Sequence, residues 1–276
     1  MSARPPHAGL PILTYHAIDA ARGVTATDPA WFAETLAALS ETGHRAVDLG
    51  GWIAAGRPDV GRGFALAFDD GLRSVLDVAD LLARHRSPAT VFLVTDRMGR
   101  DNAWPGQPPG IPRAPILSWS DLDALRAAGV RFAAHGRTHR RLDRLDGAAL
   151  DDELRGARDA IEQRLGRPCR LLAYPFGIST ARVRRAAARH FDAAFGTRLD
   201  YASASQDPHN LSRIDAYYLR SRRALDRLTA GRWHPWLRMR RMLRSARRAW
   251  ALGVGMPSGP SALPPRMGER SFEYRG

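Results

Sequence analysis

The sequence predicts an α/β fold organised on a parallel sheet, either a barrel or a doubly wound sheet. Three observations carry that expectation. Gly63 to Phe68 is an apolar run without polar alternation, the pattern of a strand covered on both faces. Strand-like runs of this kind alternate with amphipathic helical stretches along most of the chain. Asp69-Asp70 and His135 directly follow such runs, at the strand ends where parallel α/β folds build their sites.

The elements follow in order. Leu10 to His16 reads as a first strand ending in a histidine. Asp28-Pro29 opens a helix, with Asp as cap and Pro in the first turn, and Phe32, Leu36 and Leu39 recur at helical spacing up to Gly43. Arg45 to Leu49 suits a short strand and Gly50 to Gly56 a helical turn or two. Leu72 to His85 reads as one helix with Val75, Leu76, Ala79 and Leu82 on its apolar stripe. Ala89 to Val94 is a second buried strand, completing a βαβ unit whose crossover should be right-handed.

Thr95 to Pro115 is a long Gly-, Pro- and Arg-rich loop carrying Trp104. Ser118 caps a helix from Asp121 to Ala128, and Val130 to Ala134 is a third strand ending at His135. Asp146 to Leu165 is an amphipathic helix on Leu150, Leu154, Ala157, Ile161 and Leu165. Arg170 to Tyr174, Phe191 to Thr197 and Ser212 to Tyr217 complete the strands, with a helix from Ser179 to His190. From Leu219 the composition shifts. Arg232 to Leu252 is a basic amphipathic segment bearing Trp233, Trp236 and Trp250, and residues 256–276 read as a disordered tail.

Composition bounds the chemistry. The chain has 276 residues, 44% hydrophobic and 25% charged, ordinary for a globular protein. Its net charge of +14 comes from 42 basic residues, all arginine. GC-rich coding accounts for the absence of lysine; the excess of base over acid points to anionic partners. Without lysine there is no Schiff-base nucleophile and no Walker-type phosphate loop. Cys169 is the one cysteine, which excludes a disulfide framework and a thiolate cluster; its place at a strand start suits a small buried residue. The first nine residues carry no apolar signal segment and no window is apolar enough to span a membrane, so the expected address is the cytoplasm, including the inner face of its membrane.

Two adjacent acids at a buried strand end repel each other and lose solvation, and a metal ion is the usual means of holding them ionised. His135 and His139 are four residues apart, which on a helical turn places both on one face. A carboxylate with two imidazoles leaves positions open for water and substrate, a set suited to Zn²⁺ or another divalent transition metal such as Co²⁺.

Phe68-Asp69-Asp70-Gly71, His135-Gly136-Arg137-Thr138-His139 and Ala173-Tyr174-Pro175-Phe176-Gly177 resemble, in order and spacing, the first three motifs of the NodB-homology polysaccharide deacetylases. Leu13 to Ile18 is similar to the opening strand of the exopolysaccharide-deacetylase branch. The resemblance implies a distorted (β/α)7-type barrel over 10–217, followed by a basic helical extension over 218–255. It assigns Asp70, His135 and His139 to the metal and Asp69 to general base catalysis on water. It assigns the Phe176 amide to the oxyanion, and marks Tyr174 and Pro175, with Trp104 beside them, as substrate contacts. The implied activity is hydrolysis of N-acetyl groups on an amino-sugar polymer, oligosaccharide or lipid-linked precursor.

Two departures accompany it. Many family members have an arginine where Ala173 stands, which steadies the base; Arg170, three positions earlier, would face the other side of the strand. The family's late leucine–histidine motif is not recognisable. His209 lies in a loop context, so His16 is the candidate general acid. These departures support an alternative, a catalytically weak sugar-binding or assembly partner. The segment 232–252 suits either peripheral membrane association or a cover for the barrel, and no motif supports nucleic-acid binding.

Overall fold

The computed structural model describes residues 9–20, 23–231, 236–237, 239–240 and 242. In chain order these form β1 (Ile12–Tyr15), β2 (Ala17–Ile18), β3 (Ala26–Thr27), α1 (Pro29–Glu41), β4 (Arg45–Ala46), α2 (Leu49–Ala54) and β5 (Gly63–Phe68). There follow α3 (Ala79–Arg84), β6 (Ala89–Leu93), α4 (Leu122–Ala127), β7 (Arg131–Ala134) and α5 (Gly147–Leu165). The last elements are β8 (Leu171–Ala173), α6 (Ala181–Ala187), β9 (Ala193–Leu199), β10 (Leu211–Asp215) and α7 (Arg222–Thr229).

The main sheet is parallel and closed. Its order is β1-β10-β9-β8-β7-β6-β5-β4, and β1 also pairs with β5, Ile12 opposite Ala65 through Tyr15 opposite Phe68. Seven strands are therefore the staves of a barrel, with the short β4 attached at the start of β5. Of the two architectures left open by the pattern, the barrel is the one formed. The parallel pair β2–β3 is an addition not foreseen from the sequence.

The barrel has an inner and an outer apolar layer. Ile12, Ala65, Ala67, Ala133, Ala173 and Ala193 share the inner cluster with Phe92 and Phe195, whose ring centroids are 5.7 Å apart. Small residues at the other inward positions leave room for these two rings in a narrow lumen. Outside, Leu13, Tyr15, Leu66 and Phe68 pack with Phe32, Leu36 and Leu39 of α1, while Leu150, Leu154, Ala157 and Ile161 place α5 in the same cluster. Asp28 caps α1 as expected, and Gly166 ends α5 in the left-handed conformation (φ 63°).

The stretch from Leu72 is not one helix. It runs as a 3₁₀ turn over Arg73–Val78 and then α3. Tertiary hydrogen bonds override the helical stripe here: the Arg73 amide donates to the Pro115 carbonyl (2.8 Å) and the Ile18 amide to the Ser74 hydroxyl (3.0 Å). Cys169 is buried in the outer layer, and burial pushes its thiol up to about 12. Among the described residues no helix is long and apolar enough to cross a membrane. Most of 232–252 and all of 256–276 lie outside the described residues.

Candidate metal and catalytic site

β5 delivers the two acids. All six of its residues are buried, and its last pairing is continued by the Asp69 amide, which donates to the Tyr15 carbonyl (2.9 Å). Asp69 thus keeps strand alternation and faces inward. The chain then turns: Asp70 and Gly71 both adopt left-handed backbone, with φ 69° and 64°. This strained step swings the Asp70 carboxylate toward the strand ends.

β7 delivers the imidazoles. Oδ1 of Asp70 lies 3.3 Å from Nε2 of His135 and 3.2 Å from Nε2 of His139. One ligand atom from each of the three lies within 4.8 Å of the others. Residues 135–139 do not form the helical turn that the spacing suggested. They form a loop that returns on itself through Gly136 (φ 77°) and a left-handed His139 (φ 60°), which brings the two rings to 4.9 Å.

The histidines differ in surroundings. Nδ1 of His135 donates to the Ala173 carbonyl at 2.7 Å, which fixes the tautomer and leaves Nε2 as the ligating atom. His139 stacks on Trp104, centroids 4.0 Å apart, with the Phe176 ring edge-on at 4.6 Å. Burial opposes charge on both rings. At His135 the Asp70 hydrogen bond and the two carboxylate charges outweigh it and raise the pKa; at His139 burial prevails and lowers it. Burial alone would raise Asp70, but hydrogen bonds from both histidines hold it well below the usual carboxylate range. One carboxylate oxygen and two imidazole nitrogens converging in a buried cleft, one ring locked in the ligating tautomer, form a donor set that fits a divalent transition metal.

Asp69 is held from across the barrel. Arg213 of β10 places its two terminal nitrogens 2.6 and 2.8 Å from the two carboxylate oxygens, and its Nε donates to the Gly196 carbonyl at 3.0 Å. Both side chains are almost wholly buried. The guanidinium also lies 5.7 Å over the Phe92 ring. Desolvation would raise the Asp69 carboxyl, but the charges of Arg213 and His135 and the bonds from Arg213 bring it below its ordinary value. Asp69 is thereby a carboxylate held ionised with its orientation fixed. Sequence reasoning missed Arg213, which stands within the strand expected over Ser212 to Tyr217.

The 3₁₀ turn Pro175–Gly177 closes the site. Phe176 has φ 59°, and no acceptor among the described residues takes its N–H. A Cβ on Gly177 would meet Thr197 Cγ2 at 2.1 Å, so only glycine fits the close approach of this turn to β9. A protein-family model described as polysaccharide deacetylase matches residues 57–191, which span the two acids, both histidines and this turn. Over these residues the chain is a polysaccharide deacetylase domain. Solved structures agree on its fold. The Streptococcus pyogenes deacetylase PplD, solved with acetate, superposes with TM-score 0.66 at 20% identity, covering 75% of this chain and 92% of its own. BC0361, a polysaccharide deacetylase from Bacillus cereus, gives 0.67 at 19% identity over 80% and 69%. IcaB from Ammonifex degensii gives 0.63 at 21% identity over 81% and 96%. No curated protein matches the sequence.

The deacetylase domain gathers most of the expected residues. Asp69, Asp70, His135, His139, Phe176, Pro175 and Trp104 share one cleft region, and the charge of His16, one residue past β1, acts on both acids. Tyr174 does not join them. Its ring is fully buried in the outer layer and its hydroxyl donates to the His209 carbonyl at 2.8 Å, because strand alternation turns it away from the lumen that Ala173 faces. His209 spends Nε2 on the Phe191 carbonyl (2.8 Å), and Arg170 pairs outside with Asp192 (3.0 Å).

Proposed function

We propose that this deacetylase domain is a metal-dependent hydrolase that removes N-acetyl groups from an amino-sugar polymer, oligosaccharide or lipid-linked precursor. The convergence of Asp70, His135 and His139 beside an Asp69 clamped by Arg213 carries the proposal. Asp70, His135 and His139 would hold a divalent ion, Zn²⁺ by their donor set, which when bound would supply Lewis acidity at the acetamide carbonyl. Asp69 takes the proton from the attacking water at its carboxylate, in the orientation Arg213 imposes. The Phe176 N–H donates to the developing oxyanion. His16 returns a proton to the leaving amine. Trp104, stacked on His139, and the buried Pro175 beside Gly136 exclude water from this side of the site.

The reading as a weakly catalytic sugar binder draws on the missing arginine at position 173 and on the missing late leucine–histidine motif. Arg213 supplies that charge from two strands away, so nothing in the base's setting favours it. The activity test is acetate release from N-acetylglucosamine oligomers and from a lipid-linked N-acetyl sugar, with Zn²⁺ or Co²⁺. Asp69→Asn and His135→Ala should each lower turnover at least a hundredfold. Unchanged turnover in both would overturn the mechanism. Peripheral association of 232–252 with an anionic membrane, on its cytoplasmic face, belongs to the same proposal. Its measure is co-sedimentation with anionic vesicles of the full chain against a chain ending at Gly231, and equal binding refutes it.

A further inference from the structure

The loop between the two histidines carries strain that its own sequence does not relieve. Gly136 and His139 both sit in left-handed backbone, a conformation that a histidine rarely adopts. Such a conformation persists only where neighbours over-determine it. Here they do so on both sides. The carbonyls of Gly136 and Arg137 accept from the amides of Thr95 (3.3 Å) and Asp96 (2.8 Å). The amides of Arg137 and Thr138 both donate to Oε2 of Glu153, at 2.8 and 3.1 Å, and the Thr138 hydroxyl donates to Oε1.

Glu153 is an unexpected residue at its position. It lies in the second turn of α5 between Leu150 and Leu154, on the face packed against the barrel, and is 4% exposed. A carboxylate there loses its hydration and is retained only with full hydrogen bonding, which the loop's three donors supply. Gly136 is fitted to it as well: a Cβ at that position would come within 3.0 Å of Oε2. Glu153 touches neither a reacting atom nor a ligating nitrogen. Its effect reaches the site through the loop that spaces His135 from His139.

We propose that Glu153 is the positioning residue of the metal centre, an acceptor that holds the inter-histidine loop in its strained form so that both Nε2 atoms point at one ion. The proposal rests on the metal reading above. It predicts that shortening or removing the acceptor loosens metal binding in protein that is still folded, whereas an amide of equal length preserves it. In Glu153→Gln the new side chain would present one carbonyl oxygen to the two backbone amides and its NH₂ to the Thr138 hydroxyl.

The experiment titrates chelator-treated, full-length protein with Co²⁺, following the visible ligand-field bands, and then displaces Co²⁺ with Zn²⁺. Glu153→Ala should bind 10–100-fold more weakly than the wild type with altered bands. Glu153→Asp, one methylene short with its charge intact, should fall at least tenfold. Glu153→Gln should stay within about threefold with the wild-type spectrum. Should the alanine variant not fold, the aspartate and glutamine variants decide the matter. Wild-type affinity and bands in the aspartate variant, alongside a lowered melting temperature, would show that Glu153 serves the fold alone and would overturn the proposal. A wild-type protein that binds neither ion would instead overturn the metal reading beneath it.

Discussion

Replacing Arg213 with methionine isolates the ion pair at the centre of the site. The pair is bidentate, 2.6 and 2.8 Å, between side chains 2% and 5% exposed. Removing one partner of a buried pair leaves an uncompensated charge, a loss of roughly 3–5 kcal/mol. For a domain of this size each kcal/mol moves the melting temperature by about 2–4 °C, so Arg213→Met should lower it by roughly 6–20 °C at pH 7. The pH dependence has a definite sign. Burial would raise the folded Asp69 carboxyl, but Arg213 and His135 bring it below its unfolded value, about 3.9. The pair's contribution is therefore fully present above that value and is lost as pH falls through the folded pKa. The gap between wild type and variant should narrow as the solution is acidified. The double variant Asp69→Asn/Arg213→Met, with neither charge buried, should recover part of the loss. The assay is thermal unfolding of metal-free protein from about pH 7 down to about pH 2, a range that extends below the unfolded carboxyl value. A single variant that melts with the wild type, or a gap constant with pH, would refute the assignment of Arg213 as the counterion of the base.

Three further outcomes are expected. Gly177→Ala combines a positive φ of 66° with a Cβ 2.1 Å from Thr197 Cγ2, so urea unfolding should show a loss of roughly 2–5 kcal/mol; wild-type stability would contradict the close packing of this turn on β9. Cys169 is 2% exposed with its thiol raised to about 12 by burial, and alkylation of native protein at pH 8 should be slower than in denaturant by a factor of hundreds or more. Asp70→Asn should retain Zn²⁺ at least tenfold less well in equilibrium dialysis, because an amide replaces the anionic ligand between the two imidazoles.

The staves of the barrel were legible where burial is strongest. β5 and β6, buried throughout, read directly as apolar runs, and the acids after β5 and the histidines after β7 read as a metal set. What escaped the sequence was long-range partnering. Arg213 is one arginine among 42 basic residues, and nothing local marks it except its place in a buried strand. Glu153 is similar: the apolar stripe of α5 was read, while the charge lying within that stripe was passed over. A lone charge on a face destined for the interior demands a partner distant in sequence, and only the fold names it. The loop 135–139 failed for a different reason. Spacing of four suits a helical turn, but Gly136 and the Glu153 acceptor select a tighter path. Tyr174 is marked by a motif read as one block of consecutive residues, whereas its own side chain obeys the two-residue alternation that continues from β8.

Asp69 follows β5 and Arg213 lies on β10, two strands that do not pair; β1 stands between them and pairs with both. The segment matched by the family model, 57–191, contains every proposed metal ligand but stops short of β9 and β10 and begins after β1. During synthesis the three proposed ligands therefore emerge well before Arg213, the residue that pairs with Asp69. A nascent chain halted before Leu211 would hold the ligands with its Asp69 unpaired, so competence for hydrolysis arrives with the last stave. Removing β10 would likewise take away the partner of Asp69 while leaving all three proposed ligands in place.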